Sequence, residues 1–310
     1  MKTITIGNSS LLSSRLSYGC MRIADKEGDA QSDARGRKAV IAAYEAGYTL
    51  FDHADIYGSS RSETVFGQVL KEVSGMRDRV ILASKCGIRM CGDPVAGAPY
   101  RFDFSAEHIV RSCEGSLSRL GVEQIDIYQL HRPDYLMCPE EVADAFSALK
   151  QAGKVREFGV SNFRPSQVAV LQKACPMRLV VHQVEISLAH QSCLDDGTLD
   201  QCLAEGMTPL AWSPLAGGLL GDGAHRLLPL QEAYRTEAVA LALAKIAQAH
   251  GVSRTAVALA WLLKHPSRIV PIIGSTDPAR IRDAVSADTV ELSREEWYSL
   301  LEAARGERLP

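Results

Sequence analysis

The strongest constraint on this chain is an eightfold alternation of short β-like runs with segments of helical period. The β-like runs fall at residues 16–20, 48–52, 80–85, 125–131, 155–161, 179–184, 208–212 and 269–274. Across 105–120 the apolar residues Ile109, Cys113, Leu117 and Leu120 recur at helical steps, and Gly121 stands where a left-handed residue ends a helix. Val142, Ala145, Phe146 and Leu149 repeat the pattern across 139–152, closed by Gly153. A third helix is predicted over 253–265, opened by Ser253 as N-cap and stopped before Pro266. Strand–helix units repeated eight times predict an α/β fold, a closed (β/α)8 TIM barrel. Residues 2–15 are left over and are predicted to form an N-terminal β-hairpin plugging the barrel bottom. Residues 87–104 and 213–235 have loop composition and exceed plain connections, so long loops are expected at the C-terminal mouth. A doubly wound open sheet would need a Gly-rich phosphate turn after its first strand, and no GxGxxG motif occurs.

Composition narrows the function classes. At 310 residues, 46% hydrophobic and 23% charged, the chain reads as an ordinary globular protein. No linker or charge block divides it, so residues 1–310 are expected to be one domain. A net charge of −3 provides no field for nucleic acid or an anionic membrane. The opening MKTITIGNSSLL has neither an apolar core nor a small-residue cleavage site, and no run reaches the length of a spanning helix, so a cytoplasmic location is expected. Eight singly spaced cysteines read as reduced, mostly buried thiols. His53, Cys86 and His131 match no metal-ligand spacing, and no metal is expected.

In such a barrel the active site lies at the C-terminal strand ends. There the sequence places Asp52 with Tyr57 five residues on, then Lys85, His131, Ser161 with Asn162, Gln183, Trp212 with Ser213, and Gly274 with Ser275. Any one of these has an ordinary structural explanation. Together, Tyr, Lys, Asp and His make a self-consistent set for protonating a carbonyl oxygen. An ammonium beside a phenol favours the phenolate and is expected to lower the tyrosine pKa. Asp52 would keep that ammonium charged, and His131 can donate to the developing oxyanion.

These residues lie in FDHADIYG (51–58), ILASKCG (81–87), IDIYQLHRPD (125–134), KVREFGVSNF (154–163), HQVEIS (182–187), LAWSPLAGGLL (210–220) and PIIGS (271–275). Seven such blocks in register resemble the aldo-keto reductase superfamily, in particular a bacterial branch of putative oxidoreductases. The resemblance implies NADPH-dependent, reversible reduction of an aldehyde or ketone. It implies Tyr57 as proton donor, Lys85 and Asp52 as its tuning pair, and His131 as the group that orients the carbonyl. For the cofactor it implies Met21, Asp52, Ser161, Asn162 and Gln183 around the nicotinamide and Trp212 beneath its ring. Ser213, Leu215 and Gly217 would run past the pyrophosphate, with Gly274, Ser275, Thr276, Arg280 and Asp283 at the adenosine end. Arg280 would face the 2′-phosphate, helped by the start of a helix over 278–285.

The chain departs from the pattern at His53, where many members have threonine. It departs again at Thr276-Asp277, where many have a cation. NADP(H) is therefore expected with only a modest margin, and NAD(H) as a weaker alternative. Two other functions compete: a cofactor-binding, redox-sensing subunit with little turnover, and a lyase forming a Schiff base on Lys85. The partner expected is a small-molecule carbonyl compound, and neither the substrate nor the oligomeric state is legible.

Overall fold

The computed structural model describes residues 1–223, 227–232 and 234–309. Eight parallel strands close into a barrel in chain order. They are β1 (Ser17–Gly19), β2 (Leu50–Asp52), β3 (Ile81–Cys86), β4 (Ile125–Leu130), β5 (Val155–Ser161), β6 (Leu179–Glu185), β7 (Thr208–Trp212) and β8 (Val270–Ile273). The ring closes where β8 pairs with β1, Ile272 opposite Ser17 and Ile273 opposite Tyr18. Each predicted β-like run coincides with one of these strands, β3 and β6 extending one residue beyond the predicted end.

Around the barrel lie helices α1 (Ala30–Glu45), α2 (Arg61–Glu72), α3 (Ala106–Leu120), α4 (Pro139–Gln151), α5 (Pro165–Ala174), α6 (Thr198–Glu205), α7 (Glu237–His250), α8 (Arg254–Leu263), α9 (Pro278–Ala284) and α10 (Arg294–Arg305). The predicted caps hold. The Ser105 side chain accepts from the His108 N–H, Gly121 ends α3 at φ 68°, and Ser253 accepts from the Ala256 N–H. Trp261 of α8 and Trp297 of α10 stack with centroids 5.0 Å apart, and each indole N–H donates to the other's carbonyl.

The barrel bottom is plugged by a hairpin in which Thr3–Thr5 pairs with Leu12–Ser14. Ile6 and Leu11 are buried against Leu50, Ile81, Ile127, Val181, Leu210 and Val270. Gly7 makes this approach possible. Its φ is +50°, and a Cβ there would lie 2.3 Å from the Val180 carbonyl oxygen, so no other residue fits. Its N–H donates to Thr208 Oγ1 at 2.7 Å.

The two long mouth segments are more ordered than their composition suggested. Within 87–104, Ile88–Arg89 and Arg101–Phe102 form a small antiparallel flap, fastened by buried Arg89 to Asp93 at 2.8 Å and Asp103 at 3.1 Å. Two-residue strands are too short to show an alternating pattern, so ion pairs define the flap. The stretch 213–235 lies partly outside the described residues, and it contains 3-10 turns at Ala216–Gly218 and Pro229–Gln231. The cysteines are unpaired, and all except Cys91 and Cys138 are buried. Among the described residues no helix is long and apolar enough to cross a membrane.

Candidate active site

Strand register places the charged groups. Asp52, the last residue of β2, lies opposite Ala83 of β3. Lys85 is two residues further on and shares Ala83's face, so its side chain meets the Asp52 carboxylate at the barrel top. The Lys85 ammonium donates to Asp52 Oδ1 at 2.9 Å and Oδ2 at 2.8 Å, to the His53 carbonyl at 2.6 Å, and to the Tyr57 hydroxyl at 3.3 Å. Lys85 is wholly buried. Burial alone would lower its pKa, but Asp52 and then Tyr57 more than offset this and hold it above the ordinary lysine value. A Schiff base needs the free amine, so this environment opposes the lyase alternative.

Tyr57 is carried by the turn between β2 and α2. The His53 and Asp55 N–H groups donate to the Ala83 and Lys85 carbonyls at 2.8 and 3.0 Å, extending the β2–β3 ladder beyond the strand. The Tyr57 N–H then closes a turn on Ala54 at 3.1 Å. The net direction of the phenol's pKa corrects the expectation from sequence. Burial raises it, Lys85 lowers it and Asp52 raises it, and the balance is upward. The phenol is therefore protonated at neutral pH, with the Lys85 ammonium against its hydroxyl.

His131 follows β4 and sets its ring edge-on to Tyr57, centroids 5.8 Å apart. Burial, with the nearby Lys85 and Arg132 charges, holds the imidazole well below its ordinary pKa. It is neutral and retains one N–H to donate. His53, by contrast, does not reach the cavity. It is buried with its ring against Phe66 at 4.6 Å, and burial and then Lys85 lower its pKa to about 3.

A polar network ties the other strand ends to this group. Gln183 of β6 donates its Nε2 to Asp52 Oδ1 at 2.8 Å. Asn162 follows β5 at φ 62°. Its Nδ2 donates to the His131 carbonyl at 3.1 Å and to Ser161 Oγ at 2.8 Å, and its Oδ1 accepts the Trp212 indole N–H at 3.0 Å. Beyond Trp212 the backbone takes left-handed values at Ser213, Ala216 and Gly217, which turns the chain along the cavity wall.

One cavity of about 1130 Å³ joins these groups, lined at one end by Asp52, Tyr57, His131 and Trp212 and at the other by Ser275, Arg280 and Asp283. Met21, Ser161, Asn162, Gln183, Ser213, Leu215, Gly217 and Gly274 line it between. Two of the predicted residues stand outside the lining: Lys85 sits buried behind Asp52 and Tyr57, and Thr276 is half-buried away from the wall. The helix start proposed for the 2′-phosphate is also different from expectation. α9 has only seven residues, it opens on Pro278, which has no N–H, and the next N–H, that of Ala279, is capped by the Asp277 side chain at 2.9 Å. Arg280 lies beside that carboxylate at 3.5 Å. Sequence reading missed Arg254 and Gln248 at this end, and Ile88, Tyr100 and Arg132 at the other. Arg254 directly follows the Ser253 cap, a position that could have drawn attention. Its guanidinium is engaged, donating to Asp222 at 2.7 Å and the Gly221 carbonyl at 2.8 Å.

The profile of the aldo/keto reductase family matches residues 15–305. The chain is 42% identical to a 6-dehydroglucose reductase of Novosphingobium aromaticivorans, covering 98% of this chain and 96% of that protein. It is likewise 42% identical to the oxidoreductase YdhF of Escherichia coli, covering 86% of each. Among solved structures it resembles a glycerol dehydrogenase from Gluconobacter oxydans at TM-score 0.86 and 26% identity, over 99% of this chain and 97% of that one.

Proposed function

The chain belongs to the aldo/keto reductase family of oxidoreductases, and from that premise we propose that it reduces an aldehyde or ketone to the alcohol with NADPH, Tyr57 giving the proton. The observation that carries this reading is the Lys85 ammonium, buried and held at once by both Asp52 oxygens and the Tyr57 hydroxyl. The residues present suit a nicotinamide. Because Gln183 Nε2 is committed to Asp52, its Oε1 is left to accept from a carboxamide NH₂. The Ser161 hydroxyl accepts from Asn162 and keeps its own proton to donate. Trp212 offers a flat π-face at the same wall.

When bound, the nicotinamide supplies the hydride. The protein's own groups do the rest. Tyr57 donates its proton to the carbonyl oxygen, and the neutral His131 N–H steadies that oxygen as charge develops. Lys85, kept charged by Asp52, stabilises the phenolate left behind. In the reverse direction the phenolate takes the proton back.

Trp212 should report cofactor binding. NADP(H) is expected to quench tryptophan fluorescence, and the quench should largely vanish in Trp212→Ala, because Trp261 and Trp297 are stacked on each other in α8 and α10, away from the cavity lining. A quench that survives in this variant would place the ring elsewhere.

Cofactor choice rests on Arg280. Its guanidinium is half-exposed and only loosely paired with Asp277, so it can turn to a 2′-phosphate, whereas Arg254 is already bound to Asp222. One charge-assisted contact is worth roughly 1.5–3 kcal/mol, from which the partial pairing with Asp277 subtracts. NADPH should therefore bind about tenfold more tightly than NADH, with most of that margin lost in Arg280→Ala. The whole reading is tested by following NADPH and NADH absorbance across a panel of aldehydes and ketones. Equal or tighter binding of NADH to the unmodified protein overturns the cofactor assignment. Absence of turnover with either cofactor on every carbonyl overturns the activity.

A further inference from the structure

Arg132 has no role in the chemistry described above, yet it stands inside the cavity. It follows His131 directly, it is half-buried, and its guanidinium carbon lies 5.6 Å from the Trp212 ring centroid, a cation–π contact that holds the side chain over the site. Among the described residues, no carboxylate is paired with it. The acids that line the cavity are Asp52, Asp222 and Asp283. Asp52 is taken by Lys85 and Gln183, Asp222 by Arg254, and Asp283 by the Ser253 hydroxyl at 2.7 Å. A planar fork of N–H donors therefore faces the cavity with its hydrogen-bonding capacity uncommitted.

The position of this fork says what it can meet. Its charge is felt at both Tyr57 and His131, the two groups that would hold the carbonyl oxygen. Arg132 adjoins His131 in the chain, packs over Trp212 and lines the same cavity as Tyr57, so its guanidinium is the cation available to a substituent next to a carbonyl held there. An alkyl substituent would offer the guanidinium nothing, while an oxygen acceptor would complete its hydrogen bonds.

We propose that Arg132 is a specificity-determining residue, whose guanidinium binds an oxygen carried on the carbon next to the reacting carbonyl, either a hydroxyl or a carboxylate. This rests on the reductase reading given above and assigns its substrate class: α-oxygenated carbonyl compounds rather than simple aldehydes and ketones. A substrate without that oxygen forgoes a charge-assisted contact with the guanidinium, which is the source of the discrimination expected.

Three two-carbon aldehydes isolate the effect: acetaldehyde with no oxygen on the neighbouring carbon, glycolaldehyde with a hydroxyl, and glyoxylate with a carboxylate. Each is assayed by NADPH consumption with the unmodified protein, with Arg132→Met, which keeps an unbranched side chain over Trp212, and with Arg132→Lys. Reading the ratio of kcat/KM between unmodified protein and variant for each substrate cancels differences in aldehyde hydration. For glycolaldehyde or glyoxylate that ratio should exceed the acetaldehyde ratio by about tenfold or more in Arg132→Met. It should be intermediate in Arg132→Lys, which keeps the charge and loses the fork. A larger ratio for glyoxylate identifies the oxygen as carboxylate, and one for glycolaldehyde as hydroxyl. The same loss on all three substrates, or none on any, overturns the assignment of Arg132 while leaving the reductase reading intact. Absence of turnover on all three, when other carbonyls in the panel are reduced, also overturns the proposed substrate class. Failure across the whole panel overturns the reductase reading itself.

Discussion

Tyr57→Phe is expected to lower carbonyl reduction by at least ~10²-fold, the scale typical of losing a positioned general acid, while NADPH affinity stays near that of the unmodified protein. The substitution keeps the ring that meets His131 edge-on and removes the hydroxyl 3.3 Å from the Lys85 ammonium. Binding should survive because, of the groups suited to the nicotinamide, Ser161, Asn162 and Trp212 are held by one another and Gln183 by Asp52, none of them by Tyr57. The pH dependence gives an independent check. Burial leaves the phenol above its ordinary value, so the acid is loaded throughout the neutral range. The rate of reduction should fall only as pH rises through the raised phenol pKa, above about 10. A decline centred near pH 7 would assign the proton to another group, as would near-normal turnover in Tyr57→Phe.

The second large effect is on stability. Asp52→Ala removes the carboxylate that both oxygens present to Lys85, leaving a wholly buried ammonium with only a carbonyl and a phenol as partners. Breaking a buried pair from one side costs about 3–5 kcal/mol, which for a domain of this size lowers Tm by roughly 5–15 °C. Two further measurements distinguish this cause from general disruption. Adding Lys85→Met to Asp52→Ala should recover much of the loss, because the stranded charge is then gone. The sign of the pH dependence should also reverse. In the intact protein the lysine pKa is raised on folding, so its contribution is complete below the unfolded lysine value and fades as pH rises through the folded one. Without Asp52, burial depresses that pKa. The unfolded chain then binds more protons, and the variant should gain stability as pH rises toward 10. A double variant no more stable than Asp52→Ala would show that the pair is not what holds this part of the barrel top.

The sequence made the barrel legible because its signals are local and repeated: β-like runs, helical steps of apolar residues, and caps such as Ser105, Gly121 and Ser253. The site was legible for a related reason. Strand ends converge in this architecture, so residues as distant as Asp52 and Gln183 could be assigned to one mouth before any contact was known. What remained hidden depends on balances and encounters that no spacing encodes. The direction of the Tyr57 pKa is a competition between burial and Lys85, and only the depth of the side chain decides it. Thr276 sits next to Ser275 yet is not among the residues that line the cavity. Asp277 spends its carboxylate on capping α9 rather than repelling an anion in free solution. Arg254 and Arg132 belong to an α8 start and a strand-end loop that looked ordinary, and they enter the cavity only through the packing of those elements.

The hairpin beneath the barrel has a consequence for how the chain reaches its native state. It is the first part of this chain, but its seat is composite: Gly7 rests against Val180 and bonds Thr208, and Ile6 and Leu11 pack on side chains from β2, β3, β4, β6, β7 and β8. That surface does not exist until β8 has joined β1, some 255 residues later in the chain. The hairpin's seat is thus complete only in the closed barrel. Truncating Ile6 is therefore expected to raise the unfolding rate and leave the folding rate nearly untouched, which the two arms of a denaturant chevron would measure; equal changes in both rates would refute it. In that expectation the plug acts as a kinetic latch, governing how long the closed barrel lasts rather than how quickly it forms.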